Sequence, residues 1–189
     1  MKKLLLRLFL PAMLVFLLSP SAQAQFLLGK MAKYRFENLF FANNHLEGGW
    51  LQLEGKPSSF RKSKLVLGPS STEPYAQFLC YPKGEAYHIQ MKFKDESWGV
   101  LEIDDTFKKE GAKVNFVHDD VKGENFIVHP QRFLIQDAGN GYYIRSMDGR
   151  YLFYDFDKKV LMLSSKDPSD YEETYKDKQF MWIIARTLF

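Results

Sequence analysis

The sequence predicts an all-β domain of twelve strands, arranged as three successive copies of one four-stranded unit. Three observations carry this expectation. No long stretch repeats its apolar residues every 3.6 positions, whereas short alternating or apolar runs punctuated by Gly, Pro, Asn and Asp dominate. Leucines at 51, 101 and 152 recur at intervals of 50 and 51 residues inside one local pattern. The same order of four apolar runs occurs three times, which marks an internal repeat.

The opening run of each unit is KYRFENLFF (33–41), AYHIQMKF (86–93) or GYYIRSM (141–147). The second run is GGWLQLEG (48–55), WGVLEIDD (98–105) or GRYLFYDF (149–156), in which an apolar residue, a leucine, any residue and a second apolar residue precede an acid. Those acids are Glu54, Asp104 and Asp155. The third run is KLVLG (64–68), KVNFV (113–117) or KVLML (159–163), each opening on lysine. The closing run is AQFLCYP (76–82), QRFLIQDA (131–138) or QFMWIIARTL (179–188). Each closing run carries a glutamine near an aromatic expected to point inward: Phe78, Phe133 and either Trp182 or Phe180. The units therefore span about 33–85, 86–138 and 139–189. The loops between runs differ in length, which costs little because closure entropy grows slowly with loop size. One unit alone buries little, but three closing on each other share a core. A last strand paired with the first near Tyr34 removes an exposed sheet edge.

Residues 1–24 read as an address rather than as part of the fold. Lys2 and Lys3 precede an apolar stretch from Leu4 to Leu18, and Ser19-Pro20 and Ala22-Gln23-Ala24 follow in the manner of a secretory cleavage site. The stretch is interrupted by Arg7 and Pro11 and falls short of the roughly 20 apolar residues that span a bilayer. Cleavage near Ala24 leaves 165 residues, with no transmembrane segment expected in the mature chain and a secreted or periplasmic location. It also removes Lys2, Lys3 and Arg7, so the formal charge falls from +3 to zero. A chain without a basic excess is a poor partner for nucleic acid or an anionic membrane surface. The single cysteine, Cys80, excludes an intrachain disulfide scaffold and reads as a small buried hydrophobe.

The stretch GYYIRSMDGRYLFYD, followed by VLML and QFMWII, resembles the β-trefoil superfamily, and more narrowly the ricin-type lectin domains. Gln131-Arg132-Phe133 and Gln179-Phe180-Met181-Trp182 are diluted forms of that family's Gln-x-Trp signature. The resemblance covers about 33–189 as a pattern of strands and implies a domain over 25–189 that binds carbohydrate. It places the sugar-hydroxyl acceptor at Asp105, where the other units carry Gly55 and Phe156. It places the stacking platform near Val117-His118, with His118 as the ring, and the polar partner near Pro130, with Asn125 as an unaligned neighbour. Trp98, at the turn before a second strand, offers a stacking surface.

The remaining patterns carry no chemistry. His118-Asp119-Asp120 lacks the ligand spacing of a zinc site, and no phosphate loop, nucleophile elbow or selected carboxylate pair occurs. No cofactor and no catalytic residue is expected. The alternative is a protein-binding trefoil, such as a protease inhibitor or receptor ligand. It would act through PSSFRKSK (57–64) or through SSKDPSDYEETYKDK (164–178), read as a mobile insertion.

Overall fold

The computed structural model describes residues 31–55, 63–69, 72–104, 110–118 and 129–187. The first unit holds β1 (Ala32–Asn38), β2 (Trp50–Leu53), β3 (Leu65–Gly68) and β4 (Phe78–Lys83). The second holds β5 (Ala86–Lys92), β6 (Trp98–Ile103), β7 (Val114–His118) and β8 (Phe133–Asp137). The third holds β9 (Tyr142–Ser146), β10 (Tyr151–Asp155), β11 (Val160–Ser164) and β12 (Met181–Arg186).

Six strands close a ring. β1 pairs β4, β4 pairs β5, β5 pairs β8, β8 pairs β9, β9 pairs β12, and β12 returns to β1, all antiparallel. The return joins Tyr34 to Arg186 and Asn38 to Trp182, so neither terminal strand is left as an open edge. The other six strands form three hairpins, β2–β3, β6–β7 and β10–β11. Each hairpin is tied to the opening strand of its own unit. The hairpins also meet one another through Ser63 against Phe116, Lys113 against Met162, and the Leu67 N–H against the Tyr154 hydroxyl. A six-stranded barrel capped by three hairpins is the β-trefoil architecture that the sequence pattern resembles.

The three leucines occupy matching places. Leu51 faces Leu67, Leu101 faces Phe116 and Leu152 faces Leu163, each within its hairpin, and each leucine is at most 2% exposed. The closing aromatics match as well, because Tyr34 pairs Phe78, Tyr87 pairs Phe133 and Tyr142 pairs Trp182. This register selects Trp182, not Phe180, as the third member. Phe78, Phe133 and Trp182 are fully buried, which contributes roughly 1.5–3 kcal/mol for each Phe-sized side chain. Phe36 and Phe78, then Phe78 and Phe116, meet edge to face at 5.6 and 6.1 Å and run across the core. Cys80 is fully buried beside them, and burial pushes its thiol well above the usual range.

Local structure departs from the expected runs in three places. The run 33–41 is a strand only to Asn38, and Leu39–Asn43 form a short helix, α1. Leu39, Phe40 and Phe41 are three apolar residues in succession, which a half-buried strand cannot place on one face. The helical turn buries Leu39 and stacks Phe41 on Phe156 at 6.0 Å. The third lysine stands one position early: Asp155 faces Val160, whereas the Asp104 N–H bonds the carbonyl of Lys113. Lys159 instead ends the turn in a left-handed conformation (φ 52°). The segment expected to be a mobile insertion is folded. It carries a 3₁₀ turn at Pro168–Asp170 and the helix α2 (Glu173–Gln179). Tyr171 stacks on both Tyr175 and Phe180, and the Asn38 side chain donates to the Lys178 carbonyl at 2.7 Å.

Candidate functional site

Alternation along β1 turns Tyr34 and Phe36 into the barrel and leaves Lys33 on the outer wall. Leu79 on β4 lies directly beside Lys33, and Gln90 on β5 lies beside Leu79. Where β5 ends, Lys92 pairs with Trp98, the first residue of β6. Lys33, Leu79, Lys92 and Trp98, with Met91, with Pro74 from the 3₁₀ turn Pro74–Ala76 and with Gln77 just after it, line a groove of about 220 Å³. The groove crosses the junction of the first and second units. Leu79, Met91 and Pro74 make its apolar part, and Trp98 supplies a half-buried ring. Lys33, Lys92 and Gln77 supply its polar groups.

The turn that presents Trp98 is held from within. The Asp95 carboxylate accepts from the Ser97 backbone and hydroxyl, and the Phe93 N–H donates to the Ser97 carbonyl at 2.9 Å. Glu96 takes the left-handed region (φ 66°) and pairs with Lys92 across the turn. Both members of that pair are exposed, so the bond is worth only about 0–1 kcal/mol. The Gln77 amide donates to the Thr72 carbonyl at 2.8 Å, which fixes the opposite rim.

Threefold comparison shows why the groove belongs to one junction. The residue three places before the repeated leucine is Trp98 in the second unit but Gly48 and Gly149 in the others, both with positive φ. Two units thus use that place to turn the backbone, and one uses it for an indole.

Beneath the second unit lies a buried polar cluster. The Gln131 amide donates to the Glu102 carboxylate at 2.8 Å, and the Gln131 N–H donates to His129 Nδ1 at 3.3 Å. His129 packs 5.6 Å from His88, whose Nε2 is buried without a hydrogen-bond partner. Burial first, then the neighbouring His129, Lys83 and Arg132, hold His88 down to about 4. Among the described residues, no group of three or more His, Cys, Asp or Glu is placed to hold a metal ion.

The sequence-based site residues separate. Trp98 lines the groove. His118 is exposed at the end of β7, opposite Gly99, and so belongs to the other face of the hairpin from Trp98. Asp105 and Asn125 lie outside the described residues. Sequence reasoning missed Lys33, Gln77, Leu79 and Lys92. Only outward parity on β1 and β4 hinted at Lys33 and Leu79, and nothing in the chain order brings them to Trp98.

No protein-family model matches the sequence, and no curated protein matches it. Among solved structures, the chain is similar to a designed three-fold symmetric protein, ThreeFoil, at 15% identity and a TM-score of 0.56, covering 80% of this chain and 97% of that one. It is similar to an exo-β-1,3-galactanase from Clostridium thermocellum at 14% identity and a TM-score of 0.58, covering 82% of this chain and 30% of that one. It is also similar to a GlcNAcα1-4Gal-releasing endo-β-galactosidase from Clostridium perfringens at 12% identity and a TM-score of 0.50, covering 82% and 32%. The chain thus spans about a third of either glycosidase. At these identities the similarity establishes the fold, a β-trefoil.

Proposed function

We propose that this protein is an exported β-trefoil module that binds carbohydrate and acts by binding rather than by catalysis. The observation that carries the reading is the groove at Trp98. An indole and an apolar floor match the C–H face of a pyranose, while flanking amine and amide groups serve its hydroxyls. Its volume of about 220 Å³ is below the roughly 300–1,000 Å³ of drug-sized pockets, so it takes one sugar ring rather than a chain. The trefoil neighbours that are parts of galactan- and galactoside-cleaving enzymes agree with a saccharide ligand. Because this chain spans a third of each, their cleavage activity is not carried over.

The test is a glycan array with the purified protein, followed by calorimetry on the best ligand. The expected result is one site per chain, lost on Trp98→Ala with the fold retained by circular dichroism. Full binding by Trp98→Ala removes this groove as the site, and an array with no binding removes the carbohydrate reading. In that event Tyr175 becomes the place to look for a protein partner. It is 43% exposed and stacked on Tyr171 in the folded 164–178 segment.

A further inference from the structure

We propose that the groove at Trp98 selects an anionic sugar, one carrying a carboxylate or a sulfate ester beside its ring. This rests on the carbohydrate reading and narrows it. The two charged side chains lining the groove are both cations, Lys33 from β1 and Lys92 from β5. Lys33 is beside Leu79, Leu79 is beside Gln90, and Lys92 lies two residues beyond Gln90 on the same strand. Two strand spacings and two residues of rise put their Cα atoms about 12 Å apart, with the groove between. Lysine stems are long enough to bring both ammonium groups over one ring held against Trp98. A neutral sugar offers such groups only hydroxyls. A uronate or sulfated sugar offers a full negative charge to a compact, strongly hydrated cation.

Glu96 sharpens the argument. It pairs with Lys92, and both side chains are exposed. An exposed pair of this kind is weak and screened by salt, so an incoming sulfate or carboxylate displaces Glu96 at little cost. Glu96 then acts as a removable competitor for the same ammonium group.

The experiment uses the purified protein and three probes of matched length: neutral galacto-oligosaccharides, oligogalacturonate, and sulfated galacto-oligosaccharides. Titration calorimetry at about 50 mM and about 500 mM salt separates charge from stacking, since screening shortens the electrostatic range about threefold between them. At low salt, at least one anionic probe is expected to bind about tenfold or more tighter than the neutral one, and most of that advantage is expected to vanish at high salt. The oligogalacturonate and sulfated arms decide which acid is read. Lys33→Gln with Lys92→Gln is expected to bring anionic and neutral probes within about twofold of each other while leaving residual stacking-driven binding. Glu96→Gln is expected to tighten the anionic probe two- to fivefold and to leave the neutral probe unchanged. Neutral and anionic probes bound equally, with loss only on Trp98→Ala, overturn the charge selection and keep the carbohydrate reading. Binding of no probe, neutral or charged, overturns both.

Discussion

The Glu102–Gln131 pair and its two counterparts make a quantitative case. Glu102 follows Leu101 as Gln52 follows Leu51 and Phe153 follows Leu152, so the three residues share one place in the repeat. Gln131, two residues before Phe133, shares its place with Ala76 and Phe180, which precede Phe78 and Trp182. In the second unit the two places hold a carboxylate and an amide bonded at 2.8 Å. In the third they hold Phe153 and Phe180, stacked at 5.5 Å. In the first, Ala76 is too short to reach, and Gln52 Oε1 is buried without a partner. The perturbation is Gln131→Leu. Gln131 is 1% exposed, and a buried hydrogen bond to a charged group is worth about 1.5–3 kcal/mol. A loss of about 2–3 kcal/mol lowers the melting temperature by roughly 4–12 °C at this size. Glu102→Leu alone is expected to cost about 1–3 kcal/mol, because the buried amide loses this acceptor. Urea unfolding of wild type, both single variants and the Leu–Leu double variant closes a double-mutant cycle. The expected coupling is about 1–3 kcal/mol, and the pair Glu102→Phe with Gln131→Phe is expected to be at least as stable as the Leu–Leu double variant. Coupling below about 0.5 kcal/mol, the ordinary noise of additivity, would refute the idea that these two places act as one unit.

Three further outcomes follow from the core. A Cβ at Gly99 falls 2.4 Å from Phe116 Cε1 and 3.2 Å from Phe93, both buried, so Gly99→Ala is expected to cost about 1–3 kcal/mol by overpacking, read as a lower urea midpoint. His88 is held to about 4 in the fold against about 6.5 when unfolded, so the unfolded chain binds more protons between those values. Stability is therefore expected to fall as pH drops from about 6.5 to about 4, by about 1–2 kcal/mol after screening. A His88→Gln variant should lose that slope, and an unchanged slope would assign it elsewhere. The Cys80 thiol, fully buried and shifted upward, is expected to resist a thiol reagent in native buffer and to react stoichiometrically in urea; fast native labelling would contradict its burial.

Leu51, Leu101 and Leu152, with Phe78 and Phe133, already expressed the threefold fold in the chain. Alternation and spacing are local properties, and a side chain's inward parity follows from backbone geometry alone. The same local logic failed at Leu39–Phe41, where three consecutive apolar residues needed a helical turn docked against Phe156. It failed again at 164–178, whose polar composition concealed the aromatic stack of Tyr171, Tyr175 and Phe180.

What the sequence by itself determined was the order of strands, the inward residues of the repeat, and Trp98 as an aromatic where the other units have glycine. What only the tertiary structure decided was the company Trp98 keeps. Lys33 lies 65 positions earlier in the chain, and Leu79 stands on a different strand. Their meeting depends on which barrel strands pair and in what register. That is a long-range property set by burying the shared core, and one residue of slip would turn Lys33 inward and Tyr34 out.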